Sequence, residues 1–270
     1  RVLGDDVDAI IVCTATAAHE RIISAALRAD KHVFTEKVLT ADPVAARALE
    51  QLAEERGRVL FVSLQRLAEP WVYAMLDVIR SGILGEITAS RLRYQHAGAA
   101  EGWLPDGFLE PAQAGGGSVI DLGAHGYYLS VLLHDAYPAS LVASAQAFTG
   151  GEVEDHSTVV MSYPSGAMST LETSLVAGPY ARWCEVYGTE GFAVVDSRDD
   201  VVHMCTGEGD WVPQENGPRR ATPLQRFHTA VTDGRADADN VRAALRLTSL
   251  VADTYRSIAA GAQVHTVDPA

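Results

Sequence analysis

From Asp8 to about Ser63, short apolar runs alternate with stretches of helical length, and this alternation constrains the fold more tightly than any other feature of the chain. The runs are Ala9-Ile10-Ile11-Val12-Cys13, His32-Val33-Phe34 and Val59-Leu60-Phe61-Val62. Apolar side chains at consecutive positions require cover on both faces of a strand, and a parallel sheet receives that cover from its crossover helices. Helices are expected from about Ala17 to Ala29 and from Pro43 to Arg56. Pro43 directly after Asp42 fits a first-turn proline behind an aspartate cap, and Gly57 suits the helix end.

Beyond Gln65 the pattern changes. A helix from about Trp71 to Ser81 stops at Gly82, a strand runs from Ile87 to Tyr94, and an irregular segment extends from His96 to Ala114. Strand-like stretches then follow in succession: Leu141 to Phe148, Ser157 to Tyr163, Ala167 to Ser174, Trp183 to Gly188 and Phe192 to Asp196. Tyr163-Pro164-Ser165-Gly166 is a hairpin turn between two of them. Two helices close the chain, Leu224 to Thr232 and Asn240 to Ala260, and Asp233, Asp237 and Asp239 read as a solvated loop between them. The expected fold class is α/β plus α+β. Residues 1–65 carry a partial parallel sheet, and residues 66–270 form an α+β domain on a large, mostly antiparallel open sheet.

A formal net charge of −14 repels phosphate backbones and anionic lipid, which argues against nucleic-acid and membrane-surface roles. No apolar run reaches membrane-spanning length. Cys13, Cys184 and Cys205 are far apart in sequence and lack metal-ligand spacing, so they read as reduced, mostly packed thiols of a cytoplasmic protein. The histidines His19, His32, His134, His156, His203, His228 and His265 likewise show no ligand spacing, and no metal is expected.

Two segments carry chemistry. Gly115-Gly116-Gly117-Ser118-Val119-Ile120-Asp121-Leu122-Gly123-Ala124-His125 opens a helix in which a carboxylate and an imidazole, four residues apart, share a face. The glycines let backbone approach a ligand closely, and Ser118 is placed to cap the helix. Such a pair is commonly a plain surface pair. Here the helix continues through Tyr127-Tyr128-Leu129-Ser130-Val131-Leu132-Leu133, apolar around most of its circumference, and a buried Asp and His call for a partner or a use. The second segment is Glu36-Lys37, just past a strand end, the edge at which open parallel sheets bind ligands. Thr14-Ala15-Thr16 and Ser63-Leu64-Gln65 follow the other two strands at the same edge.

These residues together resemble the glucose-fructose oxidoreductase, inositol dehydrogenase and rhizopine-catabolism (Gfo/Idh/MocA) oxidoreductases. The likeness rests on Asp8 to Thr14 with His19, on Lys31-His32-Val33-Phe34-Thr35-Glu36-Lys37, on Gln65-Arg66 and on the glycine-led Asp121 to His125 motif. It extends through Gly82-Ile83-Leu84-Gly85-Glu86-Ile87, Glu154-Asp155-His156, Tyr187-Gly188-Thr189-Glu190-Gly191 and the last helix. The resemblance implies a Rossmann-type dinucleotide-binding part followed by a substrate-binding and oligomerisation domain. It also implies hydride transfer between NAD or NADP and a sugar, cyclitol or related polyol, in a homo-oligomer, dimer or tetramer.

Carried over by position, Lys37, Asp121 and His125 are the catalytic residues, with His125 as acid-base, Lys37 stabilising alkoxide charge and Asp121 orienting its neighbours. Thr14, His19, Glu36, Lys37, Gln65 and Arg66 would contact the dinucleotide. Lys37, Arg93, Trp103, Asp121 and His125 would contact substrate.

Three features depart from the family pattern. The glycine-rich Gly-x-Gly-x-x-Gly turn is not among these 270 residues, and the chain starts with Arg1 near the point where that half-domain would end, which leads us to expect a segment upstream. Val38 stands where proline usually follows Glu-Lys. Ala15 replaces a proline after Thr14, and Tyr128 an acidic residue three positions after the histidine. A second reading therefore stands beside the enzyme: a non-catalytic family member that binds a ligand or assembles without redox chemistry.

Overall fold

The structure, a computed structural model, describes residue 4 and residues 6–105 and 107–267. Strands β1 (Ala9–Val12), β2 (His32–Thr35) and β3 (Leu60–Val62) form a parallel sheet in that order. Helices α1 (His19–Arg28) and α2 (Pro43–Arg56) make the crossovers. The cap is as expected: Asp42 Oδ1 accepts the Val44 N–H at 2.9 Å with Pro43 in the first turn, and Gly57 turns left-handed at φ 60°. Ile23, Leu27, Ala46 and Leu49 fill the space between helices and sheet.

The chain then builds α3 (Pro70–Arg80), β4 (Ile87–Gln95), the short α4 (Pro111–Ala114), a π-helical turn over Val119–Gly123, and α5 (Ala124–His134). Strands β5 (Ser140–Gln146), β6 (His156–Ser162), β7 (Met168–Ser174), β8 (Ala181–Gly188), β9 (Gly191–Asp196), β10 (Val202–Thr206) and β11 (Val212–Gln214) follow. Helices α6 (Pro223–Thr232) and α7 (Ala238–Ala259) and the two-residue β12 (His265–Thr266) complete the described chain. The second sheet has nine strands in the order β11-β10-β9-β8-β4-β7-β6-β5-β12. Its pairings are antiparallel except β4 with β7, which agrees with the mostly antiparallel open sheet expected.

One face of this sheet holds α5. Residues Ser90, Leu92 and Tyr94 of β4 are buried on it, and alternation sends Arg91 and Arg93 to the opposite face. A polar cluster fixes the rotation of α5. His134 Nε2 lies 2.9 Å from Ser90 Oγ, while Ser130 Oγ meets both Tyr163 Oη at 2.7 Å and Ser169 Oγ at 2.6 Å. Helix α7 links the two sheets. Asn240 accepts the Val62 N–H at 2.8 Å and donates to the Val62 carbonyl at 2.9 Å, which satisfies the outer edge of β3.

The elements depart from the sequence expectations in several places. Strands β10, β11 and β12 were not expected, because each is short, at or next to a sheet edge and mixed in polarity. Asp237 is no free loop residue: it caps α7 by accepting the Asn240 N–H at 3.1 Å and pairs with Arg226. Cys13 falls one residue beyond β1 and is exposed rather than packed.

Candidate active site

The loop that follows β2 brings Lys37 against the π-helical turn. Lys37 Nζ donates to the carbonyl oxygen of Asp121 at 2.6 Å and to its Oδ1 at 3.1 Å. The Lys37–Val38 peptide bond is cis. His19, 1% exposed, braces this loop from behind: its Nδ1 lies 2.9 Å from the Val38 carbonyl and its Nε2 3.1 Å from that of Thr14. Both ring nitrogens thus lie against backbone carbonyls, to one of which a neutral ring donates, and His19 supports the cleft wall rather than lining it.

The glycine-led turn is built differently from the sequence expectation. Ser118 does not cap the helix. Its hydroxyl is buried without a partner among the described residues, and the Glu154 carboxylate takes the role, Oε1 accepting the N–H groups of Gly117 at 3.1 Å and Val119 at 2.9 Å. Tyr255 Oη donates to the same oxygen at 2.9 Å. A Cβ on Gly117 would lie 1.8 Å from the Glu154 carbonyl oxygen, and one on Gly116 would lie 1.9 Å from Tyr255 Oη. These two glycines therefore admit neighbouring protein at close range, and Gly116 also lines the cleft in which a ligand would approach. The π-helical turn places Asp121 just before the regular helix that carries His125, a local irregularity of the kind that recurs at functional sites.

Electrostatics separate the two groups. Burial alone would raise the Asp121 carboxyl, but the Lys37 ammonium, with help from hydrogen bonding by His96, pulls it down to about 2. Asp121 is a carboxylate at every physiological pH. Burial together with the positive charges of Lys37 and Arg66 holds the His125 imidazole well below its usual range, against the opposing pull of Asp121. His125 is neutral. Its Nδ1 lies 2.9 Å from Tyr128 Oη, and that oxygen accepts the backbone N–H of Arg66 at 3.1 Å.

Other expected residues divide. Thr14, Glu36, Lys37 and Asp121 line one cleft of about 470 Å³, with Cys13, Phe108 and Gln113 among the other lining groups. Arg66 turns its guanidinium toward Glu69, Tyr180 and the Tyr94 ring, on the His125 side. Gln65 is exposed and stands outside the cleft lining. Arg93 pairs with Glu172 at 3.3 Å and stacks on Trp183, on the sheet face opposite His125 and outside the cleft lining. Trp103 is exposed and packs on His96 with ring centroids 4.8 Å apart. A larger cavity of about 690 Å³ opens at the amino ends of β2 and β3 and contains none of these residues.

Sequence reasoning missed His96. It follows β4 directly, accepts the Gly98 N–H on Nδ1 at 3.0 Å and so presents its Nε2 hydrogen toward Asp121 Oδ2, 3.7 Å away. Its position at a strand end beside an irregular segment was the available signal. Glu154 was noted in a motif, without a role.

The model of the oxidoreductase family with an NAD-binding Rossmann fold matches residues 2–64, and that of the GFO/IDH/MocA C-terminal domain matches residues 72–194. The 1,5-anhydro-D-fructose reductase of Ensifer adhaerens is 31% identical over 239 residues, which span 85% of this chain and 71% of that protein. The chain belongs to the Gfo/Idh/MocA family of oxidoreductases. The uncharacterized oxidoreductase YfiI of Bacillus subtilis (strain 168) is 30% identical over 186 residues, 64% of this chain but only 46% of that protein's length. Among solved structures, GenD2 from gentamicin A biosynthesis in complex with NAD superposes with a TM-score of 0.83 at 26% identity, covering 99% of this chain and 80% of that one. Family membership agrees with the resemblance read from Lys37, Asp121 and His125, and with the α/β plus α+β architecture.

Proposed function

We propose that this chain handles the reacting oxygen of a sugar, cyclitol or related polyol in an NAD(P)-dependent dehydrogenase or reductase. The observation that carries the proposal is the contact of Lys37 with Asp121, which brings a strand-end loop of the parallel sheet and the turn that leads into the His125 helix to one cleft. The names of the relatives, an anhydrofructose reductase among them, agree with that substrate class.

The residues present fit the nicotinamide end of a dinucleotide: the cleft lies past the carboxyl ends of β1 and β2, where parallel sheets bind such groups, and is lined by Thr14, Glu36 and Lys37. When bound, the dinucleotide supplies or accepts the hydride. Thr14 and Glu36 would hold it, with Lys37 at the junction with substrate. The chain itself must manage the oxygen, because an alcohol loses its hydroxyl proton as it loses hydride, and a ketone gains both. Lys37 brings positive charge to the developing alkoxide, Asp121 fixes Lys37, and His125 offers a neutral imidazole one turn along the helix. The division of work falls near residues 65 and 66, the dinucleotide on the first side and substrate on the second.

The three unpaired thiols suit a reducing, cytoplasmic setting. The open face of the larger sheet, where Arg91 lies over Tyr187 and Arg93 over Trp183, is the surface on which a second copy would pair.

Fluorescence titration with NADH and NADPH, followed by turnover of a panel of sugars and cyclitols, tests the function. Saturable binding with turnover that requires Lys37 is the expected result. Saturable binding of a sugar without dinucleotide turnover would replace the enzyme with a ligand-binding member of the family.

A further inference from the structure

Tyr128, three positions after His125 and one of the chain's departures from the family pattern, is 5% exposed. A phenol has one hydrogen to give and two acceptor positions. One acceptor position of Tyr128 Oη is taken by the backbone N–H of Arg66 at 3.1 Å, and the neighbour on its other side is His125 Nδ1 at 2.9 Å. If Nδ1 carried hydrogen, Oη would accept twice and its own hydrogen would be left in a buried place without an acceptor among the described residues. If Oη donates to Nδ1, the phenol hydrogen has its acceptor, and the ring hydrogen resides on Nε2 of the half-buried imidazole, where it is left for a ligand.

We propose that Tyr128 is a positioning residue: by donating to Nδ1 it holds His125 in the tautomer with hydrogen on Nε2, so the ring meets the reacting oxygen as a neutral hydrogen-bond donor and proton transfer belongs to Lys37. This rests on the reading of Lys37, Asp121 and His125 as the groups that handle that oxygen. It departs from the acid-base role that family resemblance assigns to the histidine.

Two further observations support it. Burial and the charges of Lys37 and Arg66 keep His125 uncharged, and a neutral imidazole retains its remaining N–H near neutral pH, so it polarises an oxygen without protonating it. Lys37 spends two of its three ammonium hydrogens on Asp121, and the third is left for substrate. In the reductive direction the carbonyl carbon takes hydride from a reduced nicotinamide while the carbonyl oxygen takes a proton from the Lys37 ammonium. The C=O double bond becomes a C–O single bond, the lysine amine is reprotonated from solvent, and His125 gives up nothing.

The test reads the tautomer directly. Two-dimensional ¹H–¹⁵N NMR of the imidazole nitrogens, on the protein without ligand at neutral pH, should show His125 protonated on Nε2 and bare on Nδ1, with that preference lost in Tyr128→Phe. A ring protonated on Nδ1, or a tautomer unchanged in Tyr128→Phe, overturns the proposal. In turnover, Tyr128→Phe should lower kcat by about 10-fold with KM within about 2-fold, the rate cost of about one lost orienting hydrogen bond. His125→Gln, which keeps a neutral N–H near the Nε2 position, should retain at least about 10-fold more kcat than His125→Ala. Equal loss in both histidine variants would restore the acid-base role and overturn the proposal. If neither variant altered turnover, the proposed function itself would fall, whatever the tautomer.

Discussion

The Lys37 ammonium lies 2.6 Å from the carbonyl oxygen and 3.1 Å from Oδ1 of Asp121, so a loop of the parallel sheet and a helix of the larger unit are tied through one side chain. Neither group is more than 20% exposed, and their attraction is screened far less than that of a surface pair. The same contact stabilises the fold and assembles the site.

Acid stability should therefore report on Asp121. Its carboxyl stands at about 2 in the folded protein against 3.8 in a free chain. A lowered carboxylate contributes stability that is fully present above about pH 4 and is lost as pH falls through about 2, on the order of 2 kcal/mol. Urea unfolding midpoints measured from pH 5 down to pH 2.5 should fall more steeply in the parent than in Asp121→Asn. Parallel slopes would mean that the Lys37 contact does not persist in solution.

The glycine-led turn makes a steric prediction. Gly117→Ala drives a Cβ into the Glu154 carbonyl oxygen, 1.8 Å from its ideal position, and should destabilise the protein by about 1–3 kcal/mol, lowering the unfolding midpoint by roughly 3–10 °C. Glu154→Ala, which removes the cap on the Gly117 and Val119 N–H groups, should cost about 0.5–2 kcal/mol. Calorimetry that found either variant as stable as the parent would show that the Glu154 contacts are not made.

Cys13 offers a reporter of the cleft. It is exposed and lines the same space as Glu36 and Lys37, whereas Cys184 is buried with its thiol pushed up to about 12 by that burial. A maleimide followed by mass spectrometry should label Cys13 first and leave Cys184 untouched until unfolding. Saturating NADH or NADPH should slow Cys13 labelling, and an unchanged rate would place the dinucleotide elsewhere.

Much of this architecture was legible in the residues, for reasons that are local. Pro43 behind Asp42 and Gly57 at the far end set α2 to the residue, because caps and left-handed ends are chosen by side chains within a few positions. The pairing of Lys37 with Asp121 was legible only through family resemblance, since 84 positions separate them and no periodicity connects a strand end to a distant helix. The role of Glu154 was not legible at all. Ser118 has the chemistry of a cap and stands at the right place, yet a carboxylate 36 positions later occupies the N–H groups instead, a tertiary contact that overrides the local signal. The face that Arg93 occupies was not legible for a related reason: alternation along β4 assigns it to one face, but only the packing of Tyr94 against His125 reveals which face that is. His96 was passed over because a single histidine at a strand end carries no pattern until Asp121 is placed beside it.

The most direct test of the account is the turnover of His125→Ala with saturating dinucleotide and a sugar or polyol substrate of the parent. Whether the ring polarises the oxygen or moves its proton, its removal should reduce kcat by about 10²-fold or more while the variant keeps its fold and its dinucleotide affinity. A variant that turned over within a few-fold of the parent would contradict the assignment of this helix to the chemistry.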